Sequence, residues 1–337
     1  MNNLLDPAIL FFAFGVLAGA LKSNLEIPAP ISKFLSLYLL MALGLKGGFA
    51  LAQSGFSPSV AAGLGAAMTM AVIVPALGYT FLRRRVSHYD AAAVAASYGS
   101  VSAVTFVTAM QFLESQQMGF GGHMTVAMVL MESPAIIMAV LLANSLRLAQ
   151  SAPSTAGVTA GGAALLGWGA SSAGVPLRRV LHESFTDGAH LLLLGAMAVG
   201  YLSGEAGKTV MQPFAGDLFK GMLAFFLLDM GLLVARNFGA ARTQSPVLIA
   251  YAALAPLVHS AIALTLAWLL RMPAGDATLL MVLSASASYI VVPAVLRYAI
   301  PEANPSLYFG LSLGITFPLN ILLGIPLYSA AAHSVLG

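Results

Sequence analysis

Ser97-Tyr98-Gly99-Ser100-Val101-Ser102-Ala103-Val104-Thr105 places four aliphatic hydroxyls, a phenol and a glycine in nine residues. The stretch lies inside an otherwise apolar run from about Asp90 to Phe112. A helix interior written in Ser, Gly and Thr competes with its own backbone hydrogen bonds, because short hydroxyl side chains offer those groups alternative partners. What the stretch means depends on the surroundings of the run.

Those surroundings are a membrane. Hydrophobic residues make up 59% of the 337-residue chain and charged residues 8%, and the mean hydropathy is +0.90. Such values lie far outside those of soluble globular domains. Apolar blocks of roughly 20 residues, enough to cross a bilayer, recur along the chain and leave no stretch for a separate soluble domain. Cysteine is absent, which excludes disulfides, zinc thiolates and thiol catalysis.

Hydropathy and breakers predict spans near 7–22, 33–52, 58–82, 90–114, 123–147, 187–203, 214–236, 245–271, 276–300 and 305–332. The first lacks an Arg-rich start and a small-residue cleavage site, so it reads as a retained helix. Residues 148–185, with their Ser/Thr/Ala/Gly-rich start, read as a linker between a first half at 1–147 and a second half at 186–337.

In this topology Lys22, Lys33, Arg83, Arg84, Arg85, Arg147, Arg178, Arg179, Arg236, Arg242 and Arg297 share one face, against Lys208, Lys220 and Arg271 on the other. The positive-inside rule makes the first face cytoplasmic and puts both termini outside. Lys46 falls within a span.

The halves resemble each other. Leu43-Gly44-Leu45 matches Met230-Gly231-Leu232, Val74-Pro75-Ala76-Leu77 matches Ala255-Pro256-Leu257, Asp90-Ala91-Ala92 matches Asp276-Ala277-Thr278, and Ser133-Pro134-Ala135 matches Phe317-Pro318-Leu319. Five spans per half force opposite orientations. The expected fold is therefore an all-α polytopic membrane protein of about ten transmembrane helices in two inverted five-helix repeats.

The same register carries the opening stretch onto Ser284-Ala285-Ser286-Ala287-Ser288-Tyr289-Ile290-Val291-Val292-Pro293. Small hydroxyl residues also let membrane helices pack closely. Their recurrence at matching positions, ending once in Pro293, points instead to broken helices in the fourth and ninth spans. Broken helices near the bilayer midplane offer N–H groups to an anion and carbonyls to Na⁺. The expected substrate-binding residues are Gly99, Ser100, Ser102, Ala103, Val104 and Thr105 with Ser288, Tyr289, Ile290 and Val291. Ser102, Ser284, Ser286, Ser288 and Glu132 are the expected ion ligands.

A charged carboxylate within the bilayer is costly, which makes Glu132 and Asp229 functional candidates. Glu132 reads equally as a Na⁺ ligand, a proton site or a structural hydrogen-bonding group. Lys46 and Asp229 lie on symmetry-mate helices, which leaves an ion pair between them open, and a purely structural pair or a gate-domain contact is the expected role. Asp90 and Asp276 open helices and read as N-caps, while Asn144 and Asn320 read as packing hydrogen bonds. The six histidines show no metal-ligand spacing, and no nucleotide-binding glycine motif is present.

Gly44-Leu45-Lys46-Gly47-Gly48, Leu227-Leu228-Asp229-Met230-Gly231, Glu132-Ser133-Pro134-Ala135 and Leu296-Arg297-Tyr298-Ala299-Ile300-Pro301-Glu302-Ala303-Asn304-Pro305 together resemble the sodium-dependent bicarbonate transporter family, the SbtA-like permeases. The resemblance covers nearly the whole chain. It implies a Na⁺-coupled bicarbonate symporter of the bacterial inner membrane, commonly a homotrimer, with a core domain moving against a gate domain. It also implies no cofactor, no enzymatic activity and no nucleic-acid partner, with Na⁺ as coupling ion and a PII-like cytoplasmic regulator in some members. The family's Ser-Gly-Ser-Thr break resembles Ser102-Ala103-Val104-Thr105. Its second break resembles Ser286 to Ala294, but Tyr289 stands where the family has Asp and Val291 where it has Ser. A phenol donates to an anion yet does not replace a carboxylate as a Na⁺ ligand at neutral pH. A second reading therefore stays open: another small carboxylate, coupled to Na⁺ or, through Glu132, to protons. A non-transporting sensor or intramembrane enzyme would need an appended soluble domain or a catalytic pair, and the sequence has neither.

Overall fold

The computed structural model describes residues 6–55, 57–151 and 188–337. The expected linker thus lies almost wholly outside the described residues. Those described form helices, with no strand among them. They are α1 (Pro7–Ala20), α2 (Ala29–Ser54), α3 (Pro58–Leu82), α4 (His88–Gly99), α5 (Ala103–Ser115), α6 (His123–Ser151), α7 (Gly188–Gln212), α8 (Leu218–Arg242), α9 (Pro246–Leu269), α10 (Ala274–Ala285), α11 (Val291–Ala299) and α12 (Pro305–Leu336).

Helix starts are written locally. Pro occupies the first turn of α1, α3, α9 and α12, where a missing N–H costs nothing. The preceding Asp6, Ser57, Ser245 and Asn304 accept a first-turn N–H. The structure corrects one boundary. The sixth span ends as expected, at Gly204, whose φ of 55° and ψ of −142° break the helix inside α7. The backbone then resumes helical geometry at once and runs through a π-helical turn at Pro213–Asp217 into α8. Glu205, Lys208 and Gln212 make that segment too polar to read as a span, yet none of them prevents a helix.

Seven helical stretches among the described residues are long and apolar enough to cross a membrane, with Pro7–Ala20 and Ala274–Ala285 as shorter apolar helices. The chain is a multi-pass membrane protein. Within His88–Ser115, residues 97–105 of the first break are all buried except Ala103, which is half-buried, whereas Pro58–Leu82 alternates buried and exposed positions. The break is therefore enclosed by protein, the condition for non-helical backbone at membrane depth.

The helices sort into two groups. In one, α1 packs along α8 and α2 along α7. Close approach comes from glycine: a Cβ on Gly48 would meet the Met197 carbonyl at 2.2 Å, and one on Gly231 would meet the Phe12 carbonyl at 2.2 Å. Contacts advance together along both chains, Gly44 on Leu193 and Gly48 on Met197, so α2 and α7 run parallel. In the other group α3, α4 and α6 pack together, as do α9, α10 and α12.

Candidate functional site

Each break is a few residues of extended backbone between two short helices. Between α4 and α5, Ser100 has φ −91°, ψ −179° and Ser102 has φ −106°, ψ 111°. Between α10 and α11, Ser286 has φ −80°, ψ 165°. In both, a serine hydroxyl accepts an N–H from the first turn of the second helix: Ser102 as the N-cap of α5, Ser288 from two residues before the Ile290 N-cap of α11. Ser102 Oγ accepts from the Thr105 N–H at 3.2 Å and from the Thr105 hydroxyl at 3.0 Å, while Ser288 Oγ accepts from the Val292 N–H at 3.3 Å.

The two breaks are fastened to each other. Ser102 donates its N–H to Ser286 Oγ at 3.0 Å, and Ser288 donates its N–H to the Ser97 carbonyl at 2.7 Å. The N-terminal ends of α5 and α11 thereby converge, each carrying a partial positive charge and N–H groups without partners inside the helix. An anion is the ligand such a pair of helix ends favours.

A cavity of about 890 Å³ opens at this point. Ser102, Ala103, Val104, Ser288, Tyr289, Ile290 and Glu132 line it, with Ser32, Lys33 and Met230 from the first helix group. Gly99, Ser100, Thr105, Ser284 and Ser286 stand outside the lining. Gly99 is pressed against Pro75, where a Cβ would come within 2.5 Å. Thr105 supports Ser102, and Ser286 holds Ser102 from behind. Val291 opens α11, and its side chain lies outside the described residues. The expected substrate and ion residues thus fall into a cavity-lining set and a set behind it.

Among the residues behind the lining, the hydroxyls of Ser97, Ser100 and Ser284 are buried without a hydrogen-bond partner. Buried polar atoms in this state are rare and call for an explanation. Neutral hydroxyls and freed carbonyls are the donor set with which broken membrane helices hold Na⁺, and these residues fit that ion. Glu132, 9% exposed, brings the one carboxylate that the described residues contribute to the cavity lining.

Further residues support the breaks: Asn320, read from the sequence as a packing hydrogen bond, and Thr316, which the sequence reading did not single out. Asn320, on a π-helical turn of α12, donates to the carbonyl of Ala285 at 2.8 Å and accepts from the Tyr328 hydroxyl at 2.9 Å. It therefore satisfies the last carbonyl before the second break, and its polar character inside the tenth span was the available signal. Thr316 pairs with the Tyr98 hydroxyl at 2.6 Å and donates to the Ala252 carbonyl at 2.7 Å. The Tyr289 ring packs 5.1 Å from Phe317, and its hydroxyl lies 4.0 Å from Met230 Sδ.

Two expectations are corrected. Lys46 and Asp229 do not pair. Lys46 Nζ is 2.9 Å from Glu114 Oε1, and Asp229 accepts from the Ser32 hydroxyl. Rotation along α2 turns Lys46 away from α8 toward the end of α5. Asp90 and Asp276 are not N-caps but first-turn residues; Ser87 caps α4. Asp90 instead accepts the Asn304 N–H at 2.7 Å, and Asp276 the Gly121 N–H at 2.6 Å. Each carboxylate thus reaches the loop before the fifth span of the other half. Asn144 accepts from Arg147 at 3.0 Å.

The Leu296 to Pro305 motif is an elbow. Arg147 of α6 grips both carboxylate oxygens of Glu302 at 2.8 and 2.7 Å and donates to the Ala299 carbonyl at 3.0 Å. This bidentate pairing holds the Glu302 carboxyl below the usual carboxylate range. Among the described residues there is no cluster of three or more His, Cys, Asp or Glu spaced to hold a metal ion.

A profile of the Na⁺-dependent bicarbonate transporter superfamily matches residues 7–333, from the start of α1 into the last turns of α12. No curated protein matches the sequence.

Proposed function

The chain belongs to the Na⁺-dependent bicarbonate transporter superfamily, and on that premise we propose that it is a secondary active transporter carrying bicarbonate or a similar small anion with Na⁺ by alternating access. The observation that carries this reading is the crossed fastening of the two breaks, Ser102 to Ser286 and Ser288 to Ser97, beside a cavity of about 890 Å³. Two helix N-terminal ends face one space whose lining also includes Lys33, so an anion there meets positive potential. The buried hydroxyls of Ser97, Ser100 and Ser284 stand behind it as oxygen donors for Na⁺. Ser102 and Ser288 border both, which would let one ligand improve the other's site.

The proposed architecture is ten crossings in two inverted repeats. Packing supports it: α1 on α8 and α2 on α7 exchange with each other when the halves are exchanged. The links from Asp90 to Asn304 and from Asp276 to Gly121 exchange in the same way. Charge bias supports termini on the outside of a bacterial inner membrane. A homotrimer and a PII-like partner rest on the family resemblance, with residues 148–185 as the place to seek the latter. No enzymatic role is proposed.

A second reading takes its support from Glu132 and Tyr289, which both line the cavity. It has another small carboxylate as substrate, with Glu132 carrying a proton. Uptake of labelled bicarbonate into proteoliposomes tests both readings, with an inward Na⁺ gradient, an equal K⁺ gradient, or a pH gradient. Uptake that requires Na⁺ and is lost in Ser102→Ala supports the first. Absence of bicarbonate uptake under every gradient, with pH-driven uptake of another labelled small carboxylate that is lost in Glu132→Gln, supports the second.

A further inference from the structure

A second cavity, of about 640 Å³, lies on the other side of the breaks along the same helices. Lys46, Met110, Glu114, Phe120, Lys208 and Lys220 are among its lining residues. It shares no lining residue with the first cavity. On α2 the first ends at Leu40 and the second begins at Lys46; on α5 the corresponding residues are Val107 and Met110. The partition between them is therefore only one to two helical turns thick. Leu43 and Leu223, both fully buried, belong to this layer.

Lys46 and Glu114 cap the partition from the second cavity. Lys46 belongs to the α1, α2, α7, α8 group and Glu114 to α5, which carries the first break and packs on α10 of the other group. Their 2.9 Å contact is the one ion pair among the described residues that joins the two groups. The side chains are 21% and 35% exposed, and Lys46 Nζ also lies 4.3 Å above the Phe219 ring. Beside them Gly47 and Gly122 bring α2 against the turn before α6: a Cβ on Gly47 would meet Thr125 at 2.8 Å, and one on Gly122 would meet the Gly47 carbonyl at 2.7 Å. Side-chain-free surfaces leave little to interlock, so the ion pair supplies a discrete tie. An ionisable residue within a membrane span is expected to have a function, and no charge or hydroxyl of the site described above uses Lys46.

We propose that the Lys46–Glu114 ion pair is the outer latch of the transport cycle: it holds the breaks closed to the outside while they are open to the cytoplasmic cavity. Both residues are positioning residues, acting on access and not on the ligand. The proposal rests on the alternating-access reading and on the topology that puts Lys33 on the cytoplasmic face.

The chain has no cysteine, so Leu40→Cys places a single thiol in the first cavity. Proteoliposomes of known orientation are treated with a membrane-impermeant thiol reagent from either face, without bicarbonate. With the latch intact, the thiol reacts from the cytoplasmic face and slowly from the outer face. Lys46→Met or Glu114→Gln is expected to raise the outer rate about tenfold, and the exchanged pair Lys46→Glu with Glu114→Lys to lower it again. Unchanged cytoplasmic labelling shows that each variant is folded. An outer rate unaffected by both single substitutions overturns the latch. Failure of the transport reading looks different: the labelling pattern stands while bicarbonate uptake is absent.

Discussion

Ser102 donates its backbone N–H to the Ser286 hydroxyl at 3.0 Å, with both residues buried, so one half of the chain holds the other's broken helix in place. Ser286 also donates to the Leu283 carbonyl at 2.9 Å. Ser286→Ala removes both and leaves a buried N–H without a partner, a cost of about 1–3 kcal/mol. Thermal unfolding in detergent should fall by a matching amount. Uptake should fall further than the folded fraction, because Ser102 caps α5 and its displacement moves the anion site. Ser286→Thr, which keeps the hydroxyl, should recover most of the loss. A Ser286→Ala protein with native melting temperature and native uptake would mean that the fastening is incidental.

Tyr289 presents its ring to Phe317 at 5.1 Å and lines the cavity. Tyr289→Phe keeps the ring and deletes the hydroxyl, separating packing from ligand contact. If the phenol donates to the bound anion, the KM for uptake should rise about tenfold, the worth of one hydrogen bond to a charged group, with little change in melting temperature. Tyr289→Asp restores the family residue and places a carboxylate beside the anion. It should raise the KM for the anion further and make uptake more dependent on Na⁺. An unchanged KM in Tyr289→Phe would remove the hydroxyl from the site.

The breaks were legible because Ser recurs at matching positions in two apolar runs, and the starts of α1, α3, α9 and α12 were legible because Pro after Asp, Ser or Asn writes them locally. Which hydroxyl faces the cavity was not. Outside a helix the 3.6-residue period no longer assigns faces, so Ser102 and Ser100, two residues apart, end in different surroundings. Long-range partners were equally hidden: nothing near Lys46 in sequence points to Glu114, 68 residues on. The π-helical turns of α12 shift its register, and that shift carries Thr316 to Tyr98 and Asn320 to Ala285.

Asp90 and Asp276 perform one task on the two sides of the molecule, accepting the N–H of Asn304 and of Gly121. A hydrogen bond to a charged group contributes about 1.5–3 kcal/mol, and losing it leaves the loop without its tether. Asp90→Ala and Asp276→Ala should each lower thermal stability. Asp276→Ala should cost more, since Asp276 is 6% exposed and also faces His123 Nε2 at 3.6 Å. The Asn variants keep an acceptor and should retain about half of the loss. Equal melting temperatures for all four variants would contradict the tether.

Glu302 supplies the pH dependence that can be signed. Its carboxyl is held below the ordinary value, first by the hydrogen bonds from Arg147. A group whose folded pKa is depressed stabilises the folded state above its unfolded pKa and loses that contribution as pH falls through the folded value. The elbow should therefore be intact at neutral pH and weaken as pH drops below about 4.5, the unperturbed value. The effect should be modest, because the Glu302 side chain is 37% exposed and solvent screens the pair. The melting temperature of the native protein, followed from pH 6 downward, should fall more steeply than that of Glu302→Gln, whose curve starts lower and runs flatter through this window. Parallel curves would show that Arg147 is held by Asn144 and the Ala299 carbonyl, without help from the charge of Glu302.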